Sequence, residues 1–133
     1  MTPLELLSKA ERALVSAELL LQAGDPDGAS NRAYYAMFDA ARAGLLCVTP
    51  ESQAIKTHNG LISAFSQQLV KPGHIPLELG RALNTMEDMR IAADYRSLSI
   101  EADSANWAVM QARVFVAAVR KFVTENPSSR SLP

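Results

Sequence analysis

Apolar positions recur every three or four residues along most of this chain and nowhere alternate strictly, so the pattern predicts helices and no strand. In the first stretch Leu7, Ala10, Leu14, Ala17 and Leu21 form an apolar stripe, while Lys9, Glu11, Arg12, Ser16, Glu18 and Gln22 keep the other side wet. Thr2 before Pro3, with Glu5 three residues on, predicts a capping box at its start. Gly24 ends it, and Asp25-Pro26-Asp27-Gly28 reads as a turn. The run from Ser30 to Leu46, SNRAYYAMFDAARAGLL, is apolar around most of its circumference: Ala33, Met37, Ala40 or Ala41 and Leu45 make one stripe, which Tyr34 and Phe38 widen. A helix of that kind is buried on several sides, and the rest of the chain reads as its cover. Val48-Thr49-Pro50 breaks it, and Thr49 to Lys56 reads as a loop.

Three further helices follow. Thr57 is a candidate cap for one whose apolar side is Leu61, Ile62, Phe65, Leu69 and Val70, stopped by Lys71-Pro72-Gly73. The next starts at Pro76 and tracks the core through Leu79, Leu83, Met86, Met89 or Arg90, and Ala93. The last, with Ser99 as its expected cap, places Ala105, Val109, Ala112, Val116, Val119 and Val123 on one side and ends at Asn126-Pro127. These spans predict an all-α, largely antiparallel bundle of five helices near 3-23, 28-47, 58-71, 76-97 and 100-126, because short loops turn successive helices back on one another. A single domain is expected over 1-127, with a disordered tail at 128-133. The alanines on the stripes call for close helix contacts, within one copy and between two copies in a two-fold dimer.

Composition narrows the function classes. A chain of 133 residues fits one domain with its own core. A net charge of -1 argues against a broad phosphate-tracking surface and leaves room only for a local basic patch in a cleft. Cys47 is the sole cysteine, which excludes an intrachain disulfide and a thiolate zinc cluster; it reads as a small semi-buried apolar residue before it reads as a reactive thiol. No apolar run approaches the roughly 20 residues a bilayer needs, and the N-terminus has no basic flank before an apolar segment. A cytoplasmic protein with no membrane contact is the expectation. His74, in the loop between Pro72 and Pro76, has no acidic or cysteine neighbour at ligand spacing, and neither metal nor cofactor is expected.

Candidate chemistry sits on the apolar helices. Arg32, Tyr35 and Asp39 stand at i, i+3 and i+7, sharing a face over roughly 10 Å of helix. On so apolar a helix Arg32 has to reach solvent, a carboxylate or an anionic ligand. Arg90 and Asp94 are at ion-pair spacing in RIAADY, with Tyr95 next, and His58 lies in the first turn of the third helix, as a general base, a phosphate contact or an ordinary polar residue. The expectation is that Arg32, Tyr35, Asp39, His58, Arg90, Asp94 and Tyr95 converge on one partly open polar cleft, since charges on separate apolar helices are satisfied by facing one another or a shared anion.

At SNRAYYAMFDAARAGLL, KTHNGLISAF, RIAADYRS and the long last helix, the chain resembles the HEPN superfamily, in particular the bacterial branch whose second helix reads RAYYAMFHAA. The resemblance implies a four- or five-helix bundle, usually a homodimer with its active cleft where two copies meet. It also implies, as for many members, a metal-independent ribonuclease acting as a toxin or defence effector, in several members partnered by a small nucleotidyltransferase of the MNT type that neutralises it; other members bind nucleotides or mediate interactions. The family's ribonuclease signature, an arginine followed four to six residues later by a histidine, is not intact. Asp39 stands where relatives commonly carry histidine, and Ile91, Ala92, Ala93, Asp94, Tyr95 and Arg96 follow Arg90. An ionised aspartate repels a phosphodiester and cannot replace an imidazole.

Two readings follow. In one the chain is a toxin-like ribonuclease with Arg90, Arg32 and His58 as catalytic groups and Tyr35, Asp39, Asp94 and Tyr95 contacting RNA or nucleotide. In the other the same cleft is a noncatalytic nucleotide-binding or protein-interaction module, with Asp39 and Asp94 neutralising the arginines.

Overall fold

A computed structural model describes residues 1–96 and 99–126, and the expected tail at 128-133 lies outside the described residues. Five helices carry the fold: α1 (Pro3–Gln22), α2 (Pro26–Val48), α3 (His58–Phe65), α4 (Leu77–Arg96) and α5 (Ala102–Glu125). No strand occurs among the described residues.

The helix starts follow from local chemistry. The Thr2 hydroxyl accepts from the Glu5 amide at 3.1 Å and the Glu5 carboxylate accepts from the Thr2 amide at 2.8 Å, the reciprocal box expected from the sequence. The Asp25 to Gly28 segment is not a separate turn. Asp25 caps α2 by accepting from the Gly28 amide at 2.9 Å, with Pro26 at the first helical position, and Gly24 at φ +82° makes the reversal just before it. Thr57 caps α3 through the Gly60 amide at 2.9 Å. The segment read as a loop holds a 3-10 turn, Pro50–Ala54, and α3 continues as a π-turn, Ser66–Val70, closed by the Lys71 amide on the Ser66 carbonyl at 2.8 Å. Ser99 is not the cap of α5. Glu101 takes that position without a side-chain hydrogen bond, and the chain before it is tied to α2, where the Asp27 carboxylate accepts from the Ile100 amide at 2.6 Å.

Helix directions can be read from residue pairs. Arg120 meets Glu11 at 2.5 and 2.6 Å and Arg113 meets Glu18, so α5 runs against α1. Asp27 beside Ile100 and Gly44 beside Val119 make α5 parallel to α2. Tyr34 near Glu87, with Asp27 and Asp94 lining one cleft, makes α4 antiparallel to α2. The connection from α2 to α3 is too long to fold straight back, and returns α3 alongside α2, with His58 near Phe38 and Phe65 near Gly44.

Helix α2 is the axis of the molecule, in contact with all the other helices. Ala33, Ala36, Ala40, Ala41 and Ala43 are fully buried along it, and these small side chains let α1 and α5 approach closely. Phe65, Phe115, Met37, Leu45 and Leu7 fill the spaces between helices, each contributing about 1.5–3 kcal/mol by burial. Packing is uneven. α1 against α2 and α2 against α5 form the extensive interfaces, whereas α4 touches α5 and α3 at few places. Trp107 of α5 is exposed and lines a groove together with Thr85 and Met89 of α4.

Candidate functional site

The polar centre of the fold forms where α2, α3 and α4 meet. Tyr34 is 1% exposed, and its ring lies inside the apolar layer of α2. A phenol buried to that depth needs a partner for its hydroxyl. It has two: a short hydrogen bond to Glu87 Oε2 of α4 and a 2.7 Å contact with Nδ1 of His58 in the first turn of α3. Glu87 is itself only 5% exposed. Its other oxygen accepts from Arg90 Nη2 at 2.6 Å, one turn along α4, and His58 Nδ1 stands 3.6 Å from Oε2. Arg90 also donates from Nη1 to Asp94 at 3.0 Å, and its guanidinium lies over the Tyr34 ring, 5.4 Å from the centroid. The result is one hydrogen-bonded array, Arg90–Glu87–Tyr34–His58, drawn from three helices.

Aromatic rings fix the imidazole. Phe38 lies 4.6 Å from the His58 ring, Tyr35 meets it edge-on at 6.4 Å, and about one third of the side chain is exposed. Burial raises the Glu87 pKa, but hydrogen bonds from Arg90 and Tyr34, together with the charges of Arg90 and His58, outweigh it and hold the carboxyl below its ordinary range. Burial, reinforced by Glu87, pushes Tyr34 well above the usual phenol range, so its proton stays on at any working pH. The hydrogen bond to Glu87 raises Arg90 further, against the effect of burial. Arg90 Nε is buried and has no hydrogen-bond partner among the described residues.

Beside this array a cleft of 420 Å³ opens between α2 and α4, lined among others by Asp27, Ser30, Asn31, Tyr34, Arg90 and Asp94. Its size falls within the range of small-molecule sites. His58 does not line it, although its Nδ1 meets the hydroxyl of the lining residue Tyr34.

The residues singled out in the sequence divide into two groups. Arg90, Asp94, His58 and Tyr35 meet around Tyr34 and Glu87. Arg32, Asp39 and Tyr95 stand apart. Arg32 is exposed, and Tyr95 is 80% exposed and does not line the cleft. Asp39 is 7% exposed and forms no ion pair among the described residues; burial raises its pKa, partly offset by Lys9, Arg42 and Arg32. The carboxylates that neutralise Arg90 are therefore Glu87 and Asp94. Cys47 is buried and its thiol is pushed up to about 11, so it is an inert core residue. His74 is exposed, as expected, with its ring near Phe122.

Tyr34 and Glu87 are the members that sequence reading missed. Tyr34 reads as part of the apolar stripe, although its hydroxyl is a demand for a partner. Glu87 stands three residues before Arg90 and next to the core position Met86, a carboxylate on the edge of an apolar stripe.

An alanine-rich central helix wrapped by four others, with a buried carboxylate joining arginine, tyrosine and histidine on its flank, defines a small helical-bundle domain with a polar site between helices. The chain belongs to the HEPN domain family, which matches residues 4–122. It is 41% identical over 91 residues to the UPF0332 protein glr0978 of Gloeobacter violaceus, covering 68% of this chain and 70% of that protein. A UPF0332 protein of Thermotoga maritima is 31% identical over 118 residues, 88% of this chain and 87% of the relative. A Methanocaldococcus jannaschii protein named "Putative toxin MJ0142" is 29% identical over 120 residues, 90% of this chain and 80% of its own length. No helix among the described residues is long and apolar enough to cross a membrane.

Proposed function

We propose that this chain is the toxin-like HEPN component of a two-protein system and that it acts on RNA at the Arg90–Glu87–Tyr34–His58 array. The observation that carries this reading is the shared carboxylate: Glu87 holds Arg90 at 2.6 Å and His58 at 3.6 Å. It brings a guanidinium and an imidazole from separate helices to one place although the arginine–histidine spacing within a helix is missing. Relatives named as toxins support the physiological role. In the reaction His58 takes the proton of a 2′-hydroxyl as that oxygen attacks the adjacent phosphorus. The bond from phosphorus to the 5′-oxygen breaks, the leaving oxygen takes a proton from water, and Arg90 holds a non-bridging oxygen. The Asp94 partner of Arg90 is 59% exposed, a pair an incoming phosphate can displace at small cost.

The partner in this reading is a small nucleotidyltransferase of the MNT type, and two copies of the chain pair around a two-fold axis. Ile91 and Tyr95, one turn apart and exposed on α4 next to Arg90 and Asp94, supply apolar surface for that contact. The deciding experiment incubates single-stranded RNA with the protein in the presence of EDTA. Cleavage that falls at least ~100-fold in both Arg90→Ala and His58→Ala is the expected result. Intact RNA with folded wild type at excess overturns the catalytic reading.

The second reading is a noncatalytic nucleotide-binding module. What favours it is that both Nη atoms of Arg90 are already taken by carboxylates. Under that reading Asp94→Asn tightens binding of a labelled nucleotide, and His58→Ala leaves it unchanged.

A further inference from the structure

The array has a definite direction. Glu87 is ionised and can only accept, and its two oxygens are occupied by Arg90 Nη2 and by the Tyr34 hydroxyl. Tyr34 has one proton, and the carboxylate takes it. The opposite arrangement, with Tyr34 donating to His58, sets a phenol oxygen against a carboxylate oxygen at hydrogen-bonding distance with no proton between them. The 2.7 Å contact between Tyr34 Oη and His58 Nδ1 is then a hydrogen bond only when Nδ1 carries the hydrogen. The same carboxylate, 3.6 Å from Nδ1, favours a proton at that position.

We infer that Glu87 and Tyr34 are positioning residues that hold neutral His58 as the Nδ1–H tautomer and leave the lone pair on Nε2, the nitrogen Tyr34 does not engage. Histidine in water prefers the other tautomer, so the array works against the intrinsic preference and fixes which nitrogen accepts a proton. Phe38 and Tyr35 hold the ring plane in place. This deepens the proposed reaction and rests on His58 being its proton acceptor, but the tautomer itself is measurable without RNA.

The sharpest variant is Glu87→Gln, close to isosteric. Arg90 donates to Oε1 and requires an oxygen there, so the amide must turn its NH2 toward Tyr34. That NH2 donates to the phenol oxygen, the phenol then donates to Nδ1, and the hydrogen of the imidazole moves to Nε2. The experiment is long-range proton–nitrogen correlation of protein labelled at the imidazole nitrogens, recorded above the histidine titration range. The chain has two histidines, and exposed His74 serves as an internal reference. Wild type is expected to show His58 as Nδ1–H and Glu87→Gln as Nε2–H, with His74 unchanged. Tyr34→Phe, which removes the relay atom and leaves only the carboxylate 3.6 Å from Nδ1, shows a weakened Nδ1–H preference with the Nε2–H form appearing beside it, and serves where Glu87→Gln does not fold. A wild-type His58 in the Nε2–H form, or Nδ1–H retained in both variants, overturns the inference. A wild type with the Nδ1–H form whose His58→Ala variant still cleaves RNA sustains the inference and removes the catalytic reading instead.

Discussion

Glu87 and Asp39 are both carboxylates within the bundle, and their surroundings push them in opposite directions. Glu87 is held ionised by Arg90 and Tyr34; deleting it as Glu87→Ala leaves part of a guanidinium unpaired and the buried Tyr34 hydroxyl with His58 alone, and is expected to cost about 2–4 kcal/mol in chemical denaturation. Its folded-state pKa lies below the unfolded one. The stability it contributes is therefore complete above the unfolded value and is lost as pH falls through the folded value, and the stability gap between wild type and Glu87→Gln should narrow over that acid window. Asp39 has the raised pKa of a buried carboxyl without an ion pair among the described residues. Its ionised form burdens the fold, so Asp39→Asn is expected to raise Tm by a few degrees at neutral pH. That gain should disappear as pH falls through the folded value toward the unfolded one, and an unchanged Tm at pH 7 counts against the assignment. At this scale Arg90, Asp94 and His58 were legible from residue type and spacing, because an i, i+4 pair and a capped first turn are local facts. Glu87 and Tyr34 were not, since their partnership spans α2 and α4 and sequence carries no distance between helices.

The five elements were readable because each has a periodic apolar stripe and four of them carry Pro, Thr or Asp at the start. What escaped were features set by packing. α2 starts earlier than expected because Asp25 acts as a cap, and α3 ends in a π-turn where it passes α2. Gly44 lies at that crossing: a Cβ there would stand 2.9 Å from Leu69 Cδ1 and 3.3 Å from Val119 Cγ1. Alanine gains helix propensity of ~1 kcal/mol and asks that the tip of Leu69 shift and that Val119 give slightly, so Gly44→Ala should be close to neutral. Gly44→Val, branched toward both neighbours, is expected to destabilise by about 1–3 kcal/mol. Combining it with Leu69→Ala should cost less than the sum of the two single changes, and strict additivity in urea melts would show that the crossing is looser than the structure has it.

The whole molecule is asymmetric. α1, α2 and α5 share the extensive interfaces and two interhelical ion pairs, whereas α4, which carries Glu87 and Arg90, is held by small contacts spread over α2, α3 with its π-turn, and α5. Fewer buried contacts mean a lower free energy for local opening, so amides in α4 are expected to exchange with solvent faster than those of α2 and α5. The location of the single tryptophan turns that asymmetry into a ready-made optical probe. Trp107 is not in the core; it is 37% exposed and lines the groove between α5 and α4 together with Thr85 and Met89. Its emission therefore reports whether α4 is seated, while far-ultraviolet circular dichroism is dominated by the remaining helices. On heating, the red shift of Trp107 should come several degrees before the loss of helical signal, and coincident midpoints would mean that α4 unfolds only with the rest. A ligand that enters beside Arg90 and ties α4 to α2 should close the gap between the two curves, so binding at the cleft can be followed by intrinsic fluorescence before any ligand is labelled.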